Sequence, residues 1–299
     1  MEGALRFVSD QAARHVLTWP AMVERLRRTY SVEHPPLASP PRSLARGRDN
    51  WMRSLTGVDP SGRLMGVKQF GLSRQKRLCY LITLFDQETG DLVALLDGHS
   101  ITAMRTARRA VQAVRPVAAM TVFSTNPERR AAFARTFADE HGVPCRAVEN
   151  AREAVRGASI IVGATRTRDR KPVLEGAWLE PGMLTVSIGA TLPEQREIDV
   201  AAVAQADLIV ADNPREIMQE TGCFRDAAAA GVRFEDKFVS LTDLMGGRAD
   251  DRVRASRTPM YRSIGGPLQD LAVAELALEE ATRQGLTTDL PMQLFIKSE

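Results

Sequence analysis

Two rhythms of apolar residues divide the chain. In the first third, Pro20-Ala-Met-Val-Glu-Arg-Leu-Arg-Arg-Thr-Tyr30 spaces its apolar residues for one face of a helix, with a proline suited to the first turn. Three strand candidates follow, over residues 51–56, 64–71 and 78–85. The third passes through Asp86-Gln-Glu-Thr-Gly-Asp91 into the apolar run 92–97, a pattern that predicts a hairpin. This part reads as α+β and mostly antiparallel.

The rhythm changes after Gly98. Ser100 is a good N-cap for a helix running to about Val114. Short unbroken apolar runs at 120–123, 159–163, 184–188 and 207–211 then alternate with helical sequence over 127–141, 151–156 and 198–205. Strands covered on both faces read as continuous apolar runs, and their alternation with helices implies βαβ units. The pattern therefore predicts a doubly wound parallel sheet, closed by an amphipathic helix over 268–284 that Gly285 ends.

Composition narrows the function classes. The 299 residues are 44% hydrophobic, enough for a sizeable core. Forty Lys+Arg against 37 Asp+Glu leave a net charge of +3, with acids interleaved among the bases. The pairs Arg27-Arg28, Arg108-Arg109 and Arg129-Arg130 read as solvated helix faces, so no nucleic-acid stripe is expected. Cys79, Cys145 and Cys223 lie far apart without a second ligand at metal spacing, and His15, His34, His99 and His141 show none either. No metal site and no disulfide framework are expected. The start Met1-Glu-Gly-Ala-Leu-Arg6 lacks signal-peptide character and no apolar run is long enough for a bilayer, so the expectation is a cytoplasmic protein without a membrane partner.

Five blocks stand out in order. They are Gly66-Val-Lys68; Leu95-Leu-Asp-Gly-His-Ser-Ile-Thr-Ala-Met-Arg105-Thr106-Ala107; Ser159-Ile-Ile-Val-Gly-Ala-Thr165 with Pro172-Val-Leu174 and Trp178; Ile188-Gly189 leading to Arg196-Glu-Ile-Asp199; and Ser263-Ile-Gly265 with Gln269-Asp270-Leu271. Together they resemble the ornithine cyclodeaminase and mu-crystallin family. The resemblance implies an α/β protein: a Rossmann-like domain over 108–263, and an antiparallel α+β substrate-binding and dimerisation domain over 1–107 and 264–299. It implies a homodimer that binds NAD or NADP and acts on a small amino or imino acid in a cleft between the two domains.

Residue by residue, the resemblance makes Lys68 the catalytic lysine. Arg105, with Thr106 beside it, and Arg42 become the substrate-binding residues, while Thr165, Ser124, Asn126 and Asp270 fall on the cofactor side. The chemistry is apt: a guanidinium offers a planar fork of donors that matches a carboxylate, and a lysine among apolar neighbours can exchange a proton near neutral pH. Without the resemblance, Lys68 would read as the outward residue of a strand and Arg105 as a solvated helix side chain.

The chain departs from the family in one large way. A dinucleotide fingerprint needs glycines for a tight turn and for close backbone approach to the pyrophosphate at a helix N-terminus. Residues 108–119 contain no glycine, and nowhere in the chain are two glycines separated by one residue. The predicted Rossmann-like sheet therefore lacks its first strand and glycine turn, and the strand at 120–123 is expected beside 159–163 or in the vacant place. Ser124-Thr-Asn126 also lacks an acid for ribose hydroxyls.

Two smaller departures concern the substrate. Thr191 stands where family cyclodeaminases carry an aspartate, and Asn50-Trp51-Met52-Arg53 stands where they carry an acid before a Leu-Met-Pro element. A hydroxyl does not do a carboxylate's proton chemistry near neutral pH, which disfavours ornithine cyclisation. The reading is an oxidoreductase of the imine or ketimine reductase or amino-acid dehydrogenase type. The alternative is a dinucleotide-independent lyase or isomerase, or a non-catalytic binding protein.

Overall fold

A computed structural model describes residues 4–35, 37–107, 117–165 and 170–291, the side chains of residues 105–107 apart. The chain divides into two compact units, Met1–Ala107 with Gly265–Glu299, and Arg108–Ile264. The first begins with β1 (Leu5–Val8), α1 (Asp10–Val16), α2 (Trp19–Ser31), β2 (Ser43–Arg46), β3 (Trp51–Val58), β4 (Leu64–Leu72), β5 (Leu78–Asp86), β6 (Leu92–Asp97) and α3 (His99–Ala107). The second holds β7 (Met120–Val122), α4 (Pro127–His141), β8 (Cys145–Ala147), α5 (Ala151–Val155), β9 (Ile160–Gly163), β10 (Leu184–Ser187) and α6 (Val200–Gln205). It continues through β11 (Leu208–Ala211), α7 (Pro214–Glu220), α8 (Gly222–Ala229), β12 (Phe238–Ser240), α9 (Leu241–Met245), α10 (Asp250–Ala255) and β13 (Pro259–Arg262). Then α11 (Pro267–Arg283) and β14 (Thr288–Leu290) complete the first unit.

The first unit is a seven-stranded sheet in the order β14-β1-β6-β5-β4-β3-β2. The expected β5–β6 hairpin is present; Asp86 closes it by accepting the N–H groups of Glu88 and Thr89 at 2.9 and 3.1 Å. The sheet is antiparallel except where β1 runs parallel to β6. One face is covered by α11, and two glycines let the helix in. A Cβ at Gly57 would stand 3.1 Å from both Leu271 and Pro267, and one at Gly66 would strike the Thr83 carbonyl and press Leu271.

The expected N-cap is corrected. Ser100 lies inside α3; Asp97 accepts the N–H of His99 at 2.9 Å, while the Ser100 N–H goes to Asp10 and its Oγ accepts from Arg14. A carboxylate two residues upstream is the better partner for the first free N–H, which moves the helix start forward. The rest of that predicted helix, 108–114, lies outside the described residues.

In the second unit five parallel strands run in the order β12-β11-β13-β10-β9 around a core that includes Ile161, Ile198, Ile209, Phe224 and Met260. The expected pairing of 120–123 is overturned. β7 pairs in parallel with β8, Met120 opposite Cys145, and the two form a sheet of their own. The reason is local: α4 is capped at Asn126 and stopped at Gly142 in left-handed conformation, so the chain returns through Pro144 at once and delivers β8 to β7. Among the described residues, neither β7 nor β8 is hydrogen-bonded to β9.

Glu275 of α11 generates a stability prediction. It is 6% exposed, accepts the Arg63 N–H at 3.1 Å and faces Arg25 at 3.5 Å. Burial pushes its carboxyl above the ordinary 4.5, with Glu279 and Asp59 adding to the rise and Arg63 and Arg25 opposing it. A folded value above the unfolded one means that stability is lost as pH climbs from 4.5 through the raised value. Glu275→Gln should unfold at higher urea than wild type at pH of about 7, the gap closing by about pH 4. Equal midpoints at neutral pH would refute this.

Candidate functional site

The candidate site of the first unit is built on β4. Alternation along β4 places Leu64, Gly66 and Lys68 on the buried face, and Lys68 stands between Leu55 of β3 and Ile82 of β5. The side chain is 1% exposed. Its Nζ donates to Asp270 Oδ1 at 3.0 Å, and Asp270 is wholly buried in the first turn of α11. A carboxylate there is favoured by the helix dipole as well as by the ammonium.

Beyond Lys68 the helix ends and aromatic rings begin. The next row across the sheet is Arg53, Phe70 and Tyr80. Phe70 and Tyr80 stack with centroids 5.2 Å apart, and Lys68 Nζ lies 5.4 and 5.3 Å from them. Trp51 meets Phe70 edge-on at 5.7 Å, and Arg53 lies 5.8 Å over the Trp51 ring. These rings are half-buried, so the ammonium meets an aromatic wall that excludes water from one side and attracts positive charge.

Of the expected residues, the structure gathers Lys68, Arg42 and Asp270 at the start of α11. Arg42 Nη2 donates to the Gly265 carbonyl at 3.0 Å. Asp270, expected on the cofactor side, is the direct partner of Lys68. Arg105 and Thr106 lie in α3, and their side chains are outside the described residues.

In the second unit, Asn126 caps α4 by accepting the Arg129 N–H at 2.8 Å, and the Ser124 carbonyl accepts from Arg130 at 3.2 Å. Thr165 gives both its N–H and its hydroxyl to Glu197 Oε1, at 2.6 and 3.0 Å. Glu197 also accepts from Ser187 Oγ at 2.6 Å and Gly189 N at 3.0 Å, so this wholly buried carboxylate ties the carboxyl ends of β9 and β10 together. From the other side Arg262, wholly buried in β13, donates to the carbonyls of Ser187, at 2.8 Å, and Ala190. The turn 187–190 is thus held between an anion that collects donors and a cation that collects carbonyls, at the strand ends where doubly wound sheets take ligands. Thr191 follows it, its N–H on Gln195 at 2.9 Å.

Sequence reasoning assigned no role to Glu197, Arg262, Arg53 or the aromatic wall. One signal was present: Arg53 and Lys68 both occupy the apolar phase of a strand alternation. Among the described residues no cluster of acids, histidines or cysteines is placed to hold a metal, and no helix is long and apolar enough to cross a membrane.

Comparison with known proteins fits this geometry. A model of the ornithine cyclodeaminase/mu-crystallin family matches residues 108–285. An uncharacterized cyclodeaminase of Sinorhizobium fredii is 31% identical over 190 residues, which are 63% of this chain and 56% of that relative, so the match spans little more than half of its length. The Delta(1)-pyrroline-2-carboxylate reductase of Bacillus cereus is 25% identical over 276 residues, covering 82% of this chain and 81% of its own. Among solved structures, that of the Thermococcus litoralis Delta(1)-pyrroline-2-carboxylate reductase in complex with NADH and L-proline superposes with a TM-score of 0.83 at 22% identity. It covers 96% of this chain and all of that one, a likeness of fold.

The Lys68–Asp270 pair carries a direct test. Lys68→Met should cost about 3–5 kcal/mol in urea unfolding, because a buried carboxylate loses its cation, and adding Asp270→Leu should recover most of that loss. Additive losses in the double variant would show that the pair is not coupled.

Proposed function

The chain belongs to the ornithine cyclodeaminase/mu-crystallin family, and from that premise we propose that it is an enzyme of small amino or imino acids, by kinship an oxidoreductase, whose substrate is held at Lys68. The observation that carries this is the buried Lys68–Asp270 pair against the Phe70–Tyr80 wall. A buried ammonium kept in place by a carboxylate is built to hold a proton at Nζ and hand it to a nitrogen or oxygen of a bound substrate. Arg105 and Arg42 clamp the substrate carboxylate in this reading, and the working form is a homodimer. Thr191, in the place of a family aspartate, leaves reduction of a C=N bond or dehydrogenation of an amino acid ahead of cyclisation.

NAD or NADP is the cofactor that kinship implies, and a bound nicotinamide would supply or accept the hydride. The described residues do not fit its usual cradle. The chain has no Gly-x-Gly, Asn126 is committed to capping α4, and the five-stranded sheet stops at β9. That misfit favours a second reading, a dinucleotide-independent lyase or isomerase, or a non-catalytic binding protein, using the same Lys68 centre.

Calorimetric titration with NADH and NADPH separates the two. Binding at about micromolar Kd, followed by hydride transfer to cyclic imines or 2-oxo acids with an amine, is the outcome expected of the oxidoreductase. No heat up to about millimolar would remove it and leave the second reading. In either case Arg105→Ala should weaken binding of the carboxylate substrate by about 2–5 kcal/mol, and unchanged affinity would sink that role for Arg105.

A further inference from the structure

We infer that His99 reads the side chain of the substrate: its imidazole closes the row of rings on which Lys68 lies and donates a hydrogen bond to an oxygen at the end of that side chain, so that the substrate is an amino or imino acid whose side chain ends in a carboxamide or another oxygen acceptor. This rests on the reading of Lys68 as the substrate centre.

Four rings follow one another across the first unit. Trp51 meets Phe70 at 5.7 Å, Phe70 stacks on Tyr80 at 5.2 Å, and Tyr80 meets His99 at 6.4 Å with the planes tilted by 60°. Lys68 Nζ lies over the two central rings, 5.4 and 5.3 Å from their centroids, so a single ring separates it from the imidazole.

Gly98 makes the last step of the row possible. Its N–H donates to the Tyr80 carbonyl at 3.0 Å, which carries the β5–β6 ladder to the start of α3. A Cβ on Gly98 would stand 3.1 Å from the Tyr80 Cβ and 3.3 Å from Ile82, so the chain leaves the sheet hard against Tyr80 and His99 is the next side chain to reach its ring. The backbone there is held on both sides. Asp97 accepts the His99 N–H at 2.9 Å, and Ser100, 3% exposed, gives its own N–H to Asp10 at 2.8 Å. A ring on so fixed a backbone is suited to selecting a ligand group by position.

The two ends of the row differ. At the Trp51 end Arg53 lies 5.8 Å over the ring, 7% exposed and already partnered. At the other end His99 is exposed, and among the described residues no protein group bonds to its ring nitrogens. A substrate whose reacting end is at Lys68 therefore extends across Tyr80 toward His99, with the carbons of its side chain on the aromatic face and the tip at the imidazole. Whichever tautomer the imidazole adopts, one nitrogen carries a proton, and in the charged form both do, so the group it fits is an acceptor oxygen. An aliphatic side chain of the same shape would use the ring face and forgo the hydrogen bond.

The test is calorimetric binding of L-asparagine and of L-leucine, which has nearly the same shape, to wild type, His99→Phe and His99→Ala. Wild type should bind asparagine about threefold or more tighter than leucine, the worth of one hydrogen bond. His99→Phe keeps a ring at the end of the row and removes the N–H, so it should erase the preference by weakening asparagine alone. His99→Ala should erase it too, and carries the test if the phenylalanine variant does not fold. Leucine binding wild type as tightly as asparagine, an unchanged ratio in either folded variant, or equal weakening of both probes in His99→Phe would each overturn the assignment of His99 and leave Lys68 untouched. If neither probe binds wild type, the reading of Lys68 as the substrate centre itself fails, and this inference with it.

Discussion

Lysine is among the side chains least readily taken from water, and the arrangement of the first unit follows from taking Lys68 out of it. The ammonium needs a carboxylate at contact distance, and Asp270 provides one only because α11 lies close on the sheet. That approach depends in turn on residues without side chains: a methyl at Gly66 would strike the neighbouring strand's carbonyl and lift Leu271. The helix is then tied at its start through Arg42 and Gly265 and farther along through Glu275 and the Arg63 backbone. Helix docking and the pairing of the Lys68 ammonium are therefore one problem, so a substitution that loosens α11 disturbs this buried charge pair as well as the packing.

The second unit handles buried charge in the opposite way. Lys68 and Asp270 pair with each other, whereas Glu197 and Arg262 each bond to neutral groups, those of Thr165 and of the turn 187–190. Glu197 takes donors from Thr165, Ser187 and Gly189, and Arg262 gives its protons to the carbonyls of Ser187 and Ala190. Both glycines here are obligatory for contact reasons, since a Cβ at Gly163 would stand 2.8 Å from the Glu197 carboxyl carbon and one at Gly189 would meet Thr165. The carboxyl ends of β9 and β10 are fixed in advance of any ligand, which is the property that a binding edge requires.

Much of this was legible in the sequence because it is written in local periodicity. The β5–β6 hairpin, the parallel runs at β9, β10 and β11 and the closing helix all lie where apolar spacing and turn residues put them. The short strands were not legible: Cys145-Arg-Ala147 is too brief and too polar to show a period, yet it decides where β7 pairs. The Lys68–Asp270 pair was half legible, each residue being marked by resemblance, but 202 positions separate them and no pattern along the chain joins them. Arg53 left a trace in the alternation of β3. A charged residue in the apolar phase is ordinarily discounted as noise, and only register across strands shows that it shares a row with Phe70.

Among the described residues, β7 and β8 form a sheet of their own beside none of the other five parallel strands. The five strands from β12 to β9 enclose a continuous core, and residues of β7, α4 and β8 take no part in it. Of the fifteen residues of α4 only Ala134 is buried, Phe133 stands half exposed beside Phe137, and Val162 of β9 is 37% exposed although a strand inside a doubly wound sheet is covered on both faces. A central strand is what joins the two halves of a doubly wound sheet hydrophobically as well as by hydrogen bonds, and the sequence holds no Gly-x-Gly. Among the described residues, β7, α4 and β8 are thus only thinly buried and stand outside that core. The Lys68–Asp270 pair, by contrast, is built wholly from β4 and α11 of the first unit and is deeply buried there.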